Sequence, residues 1–132
     1  MIMEKMKTKT LKTLLFAVAV FVVSDAHAAE KWIAAGWANW KDGGGTAHAA
    51  VGYSGIRGSD SEASESAMEQ CVSAGGVGCK IMGPYSDGCI FVTSGHSGGQ
   101  ASVGAGATEE IAIQNCQKEG STCKPPIGGC ID

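Results

Sequence analysis

The chain has 132 residues, among them 20 glycines, six cysteines and three tryptophans, and a formal net charge of −3. A chain of that length holds one small domain and not two. Its acidic balance argues against nucleic acid and against an anionic membrane surface as partners, because both reward a basic surface.

Lys5, Lys7, Lys9 and Lys12 make a basic start, residues 14–23 an unbroken apolar run, and Ala26-His27-Ala28 puts small residues where a signal peptidase reads. The run is short of the roughly 20 residues that a spanning helix needs. A cleaved signal peptide over residues 1–28 is therefore expected. It would leave residues 29–132 as one exported domain, periplasmic or secreted, with no membrane span. No cysteine directly follows the run, so no lipid anchor is expected. Residues 29–132 keep Lys31, Lys41, Arg57, Lys80, Lys118 and Lys124 against eleven carboxylates, a net charge of −5 with histidine neutral. A domain this small, rich in Gly, Ala and Ser, buries only about two-thirds of its unfolded surface. Covalent staples are the usual remedy in an oxidising compartment.

Residues 32–40 read as a strand with aromatic residues, residues 42–45 as a glycine turn, and residues 46–53 as the second strand of a hairpin. Ser59, Asp60, Ser61 and Glu62 follow as a helix start, with a capping hydroxyl and carboxylates where the helix dipole favours them. Ala63, Ala67 and Cys71 recur every four residues as one helical stripe. Glu62, Glu65 and Glu69 fall on the opposite, solvent side. Gly75 and Gly76 stop the helix, and residues 79–82 form a short strand ahead of a Gly83-Pro84 turn.

The same order returns in the second half. Residues 89–93 are an apolar strand, residues 95–99 a glycine-rich turn and residues 100–105 a second strand. Thr108 caps a helix carrying Ile111, Ala112 and Cys116, Gly120 ends it, and Cys123 leads into the last segment. Ala49-Ala50-Val51-Gly52 aligns with Ala101-Ser102-Val103-Gly104, and Glu65-Ser66-Ala67 with Glu110-Ile111-Ala112 when Cys71 is set on Cys116. The predicted fold class is α+β: a duplicated ββαβ unit (repeats at about 32–83 and 89–131), a small antiparallel sheet and two helices, stapled by disulfides. Small side chains on both second strands let a helix approach the sheet closely.

Six cysteines allow about fifteen pairings, and spacing alone selects none of them. Geometry narrows the choice. Cys71 with Cys79 and Cys116 with Cys123 each flank a helix-to-strand turn and can close locally. Cys89 and Cys130 remain, at what read as equivalent places in the two copies, so that a bridge between them would pin the copies at a pseudo-twofold axis. Zinc, the competing use of clustered cysteines, wants pairs about two to four residues apart, and this spacing is absent. Neither a metal site nor a cofactor is expected.

The whole pattern of hairpin, alanine-rich helix, Cys, glycine turn and Cys, written twice behind a signal peptide, resembles the domain of unknown function 4189 family of small exported bacterial proteins. The resemblance spans about residues 32–130. It is carried by residues 65–71 with Gly78-Cys79-Lys80, by Gly88-Cys89, and by residues 112–116 with Cys123 and Cys130. Members tend to carry tryptophans in the second strands, where this chain has Val51-Gly52-Tyr53 and Val103-Gly104-Ala105. Pro125-Pro126 falls where a final strand is expected. The resemblance implies an architecture and no activity, so no catalytic residue follows from it.

Chemistry is sparse. His96, in Ser94-Gly95-His96-Ser97-Gly98-Gly99, can be written into a Ser/His/Asp set with Asp87, yet no nucleophile motif surrounds the serines. His48 reads as a surface or hydrogen-bonded residue. Trp32, Trp37 and Trp40 are the candidate binding residues together with His96: in a strand Trp32 and Trp40 point to one side and Trp37 to the other, and one side could present an aromatic surface to a glycan or protein. The expected function is a non-enzymatic binding or interaction module with an unknown protein or glycan partner in the envelope or outside the cell. An inhibitor of an envelope-targeting hydrolase such as a lysozyme ranks second, and a small hydrolase third.

Overall fold

The computed structural model describes residues 30–132, so the expected signal peptide lies outside the described residues. The strands are β1 (Ile33–Lys41), β2 (Ala47–Tyr53), β3 (Lys80–Tyr85), β4 (Cys89–Ser97), β5 (Gln100–Gly106), β6 (Thr122–Cys123) and β7 (Ile127–Cys130). Helix α1 (Asp60–Ser73) lies between β2 and β3, and helix α2 (Glu109–Cys116), followed by a 3-10 turn, between β5 and β6. The class is α+β.

All the strands pair antiparallel, in two sheets. The first has the order β2-β1-β3; in the second, β4 pairs β5 on one side and both β6 and β7 on the other. Each sheet turns one face to the other sheet and one to its own helix. Ile33 and Ala35 of β1 meet Ile90 and Val92 of β4 between the sheets, with Val51, Tyr53, Met82, Val103 and Ala105 packed around them. On the opposite face of β1, Ala34 packs with Ala63 and Ala67 of α1, and Ala38 with Cys71. The layers therefore run helix, sheet, sheet, helix. Burial on both faces explains why residues 33–36 read as a continuous small apolar run without alternation.

Both helices begin as their sequences require. Ser59 Oγ accepts from Glu62 N–H at 3.1 Å, and Thr108 Oγ1 from Ile111 N–H at 3.0 Å, each satisfying an otherwise unpaired first-turn donor. Ala63, Ala67 and Cys71 are fully buried, as are Ala112 and Cys116. Glycine lets these stripes settle close to the strands. A Cβ on Gly36 would lie 2.6 Å from the Ala67 carbonyl, and one on Gly52 2.5 Å from Cys71 N. Gly104 faces the Ala112 carbonyl and Cys116 N in the same way.

The disulfides are Cys71–Cys79, Cys116–Cys123 and Cys89–Cys130, and no cysteine is free. The axis reading of Cys89–Cys130 is corrected by the register. Cys89 opens β4 and pairs across to Cys130, the last residue of β7, so the bridge stitches one sheet and not two copies. Counting back from the paired residues Gly36–Gly52 and Thr93–Gly104, the place of Cys89 is held in the first half by Trp32.

Two expected turns are strand instead. β4 continues through Gly95 and His96 to Ser97, leaving a two-residue turn at Gly98-Gly99. Gly95 is needed within the strand because a side chain there would strike the Thr122 carbonyl and the Cys123 sulfur. β3 likewise runs through Gly83-Pro84 to Tyr85, and the register between β1 and β3 shifts there, with Ile33 opposite Tyr85 and Ala35 opposite Met82. The last strand forms in two pieces, β6 and β7, on either side of Pro125-Pro126.

Candidate functional site

The outer face of α1 carries a concavity. Its anchor is Arg57, in the loop between β2 and α1. The Arg57 and Trp32 backbones exchange two hydrogen bonds of 2.8 Å. The guanidinium then donates through Nε to the Ser54 carbonyl at 2.8 Å and through Nη2 to Ser66 Oγ at 3.0 Å. Ser66 Oγ itself donates to the Ser54 carbonyl at 3.1 Å. Ser54 is buried, accepts from Ala34 N–H at 2.9 Å and so ties this cluster to β1. Two forked donors on fixed acceptors hold the side chain in one pose, which lysine cannot reproduce.

Glu62, Glu65 and Glu69 line, together with Arg57 and Ser66, a cleft of about 310 Å³. They are the helix-face carboxylates of the sequence reading, gathered here beside the only arginine of the chain. A second, apolar groove of about 430 Å³ adjoins the cleft, lined by Ser64, Glu65, Met68, Glu69 and Ile81. Glu65 and Glu69, one helical turn apart, line both. Such a surface suits a long side chain with an aliphatic stem and a cationic head.

The tryptophans divide as expected, with Trp32 and Trp40 on the α1 side of the sheet and Trp37 on the other. Trp32 packs against the cluster of Ala34, Ala63 and Ala67, and Trp40 against Ala38, Ala50 and Cys71. Trp37 lies under the Lys80 ammonium, 5.3 Å from its ring centre. All three are half-buried. Trp32 and Trp40 are separated by roughly 25 Å of extended strand, so the three do not form one platform.

His96 is exposed near the end of β4, opposite Ala101 and Thr122. Asp87 precedes the start of that strand, roughly 30 Å of extended chain away. The structure does not bring these two together. His48 instead has a close partner: its Nε2 lies 2.8 Å from Asp42 Oδ2, and its ring stacks on Trp40 at a centroid distance of 5.3 Å. Asp42 Oδ1 also accepts from the Gly44 and Thr46 amides at 2.9 and 3.0 Å, closing the β1–β2 turn. The His48 hydrogen bond first, and then the Thr46 amide, hold the Asp42 carboxyl below its ordinary value.

Residues 32–130 match the family described as Domain of unknown function (DUF4189). The chain belongs to that family. No curated protein and no solved structure matches it. In this DUF4189 member Arg57 is the residue of the candidate site that motifs in the sequence did not indicate. The available signal was its being the single arginine in the chain, three residues after a buried serine and just before the α1 cap. No helix among the described residues is long and apolar enough to cross a membrane.

Proposed function

We propose that this DUF4189 protein is an exported, non-enzymatic interaction module, periplasmic or secreted, whose α1 face takes a basic protein partner. The observation that carries the reading is the paired concavity along α1, where Glu65 and Glu69 border both a charged cleft and an apolar groove. A lysine or arginine of the partner lays its stem along Met68 and Ile81 and its charged end between the glutamates. The net charge of −5 over residues 29–132 steers such a partner toward the domain. Three disulfides among six cysteines suit an oxidising compartment and keep α1 and β3 in one arrangement through Cys71–Cys79.

The test offers envelope extract and culture medium to immobilised wild-type protein and to a Glu65→Gln/Glu69→Gln variant. A basic protein retained by the wild type, released by salt and not retained by the variant supports the reading. Equal retention on both surfaces removes it.

The same charge complementarity favours a second reading, an inhibitor of a basic envelope-targeting hydrolase such as a lysozyme. Inhibition that fails at a large molar excess of the domain rules this reading out.

A further inference from the structure

Lys124, Pro125 and Pro126 separate β6 from β7 along one edge of β4. Neither proline has an N–H to give to β4, so the edge is interrupted beside Thr93 and Ser94. At this gap the Lys124 backbone bridges to β4. Its N–H donates to the Ser94 carbonyl at 3.0 Å, and its carbonyl accepts from Thr93 Oγ1 at 2.5 Å. A cavity of about 140 Å³ opens here, with Ala49, Val51, Ser94, Lys124, Pro125 and Ile127 in its lining.

Ser94 is only 3% exposed, on the face of β4 that it shares with Ile90 and Val92 and that looks toward the first sheet. Its hydroxyl has no hydrogen-bond partner among the described residues. The other buried hydroxyls, those of Ser54, Ser66, Thr93 and Ser121, each have one. A hydroxyl buried without a partner is costly, and a molecule bound beside it removes that cost.

We propose that this cavity binds a small hydroxy-carboxylate. Ala49, Val51, Pro125 and Ile127 enclose a short carbon body, the Ser94 hydroxyl bonds the ligand hydroxyl, and the exposed Lys124 ammonium at the mouth pairs with the carboxylate. An apolar cavity of about 150 Å³ accommodates benzene, so the volume here fits about six heavy atoms, with a carboxylate oxygen left at the open mouth. This site lies between the sheets and is independent of the partner reading for α1.

The test is an NMR titration of the oxidised full chain with 3-hydroxybutyrate and with butyrate, following the methyl groups of Ala49, Val51 and Ile127. Both acids shift these methyls, and the hydroxy acid binds more tightly. Ser94→Ala weakens the hydroxy acid about tenfold, to the affinity of butyrate, and Lys124→Gln weakens both acids. Ala49→Val fills the cavity from the first sheet, leaves Ser94 in place and abolishes binding, which keeps the test decisive if Ser94→Ala misfolds. The proposal is overturned by unshifted methyls at about 100 mM acid. It is equally overturned by unchanged affinity in a folded Ser94→Ala protein, or by shifts confined to Lys124, which would mean surface ion pairing alone.

Discussion

Gly52 and Gly104 occupy matching places in the two halves, each pressed against the helix cysteine of its own local disulfide, Cys71 or Cys116. A methyl on Gly52 would also lie 2.6 Å from Gln70 Cβ, with no flexible group able to yield. Overpacking of this kind costs about 1–3 kcal/mol. Gly52→Ala and Gly104→Ala are each expected to lower urea-unfolding stability by that amount. Gly43→Ala, at a position with nothing within 4 Å, should stay within about 0.5 kcal/mol of wild type. Equal stability of all three variants would remove close helix–sheet approach as the reason for these glycines.

Arg57→Lys keeps the charge beside Glu62, Glu65 and Glu69 but cannot hold the Ser54 carbonyl and Ser66 Oγ together. A loss of about 1 kcal/mol is expected, the usual net worth of a hydrogen bond. Combined with Ser66→Ala in a double-mutant cycle, the two changes should be less than additive by about 0.5 kcal/mol or more. Strict additivity would show that the guanidinium is not fixed by Ser66.

Asp42 gives the acid limb of the stability curve a defined sign. Its folded-state carboxyl is held below the ordinary aspartate value, chiefly by the His48 hydrogen bond and then by the Thr46 amide. A depressed carboxyl contributes stability that is fully present above its unfolded value and is lost as pH falls through the folded one. Between about pH 5 and pH 2 the wild type should therefore lose more stability than Asp42→Asn. Parallel acid limbs, measured by denaturant titration at each pH, would contradict the hydrogen-bonded turn.

The disulfides should rank by loop length. Cys71–Cys79 and Cys116–Cys123 join residues 8 and 7 apart, and Cys89–Cys130 residues 41 apart. In the chain-entropy treatment, paired Cys→Ala replacement costs at most about 2.5 kcal/mol for either short loop and about 4 kcal/mol for the long one. Non-reducing peptide mapping should return these three linkages. A Cys71–Cys116 peptide would contradict the fold.

The elements were legible wherever local chemistry is strong. Ser59 and Thr108 announce the helices, and the Ala63, Ala67 and Cys71 stripe gives the buried side of α1. The two short disulfides followed from their flanking positions. Three features were not legible, each because a long-range contact sets it. Gly95 reads as part of a turn, yet it is a strand residue kept small by Cys123. Gly83-Pro84 reads as a stop, although a register shift against β1 carries the strand through it. Cys89 and Cys130 read as equivalent places in two copies, whereas the pairing of β4 with β7 puts both in the second sheet. Of the candidate site, the glutamates were visible on one helix face, but the loop that carries Arg57 to them was not.

The Cys89–Cys130 bridge also makes the two halves topologically unequal. It turns residues 89–130 into a covalent ring, and Cys116–Cys123 closes a smaller ring inside it. The first half is an open arc with one clasp, Cys71–Cys79. Separation of β1 and β2 from the second sheet requires only that noncovalent contacts break. A comparable excursion of β4 from β7 is limited by a bond that only a reductant can open.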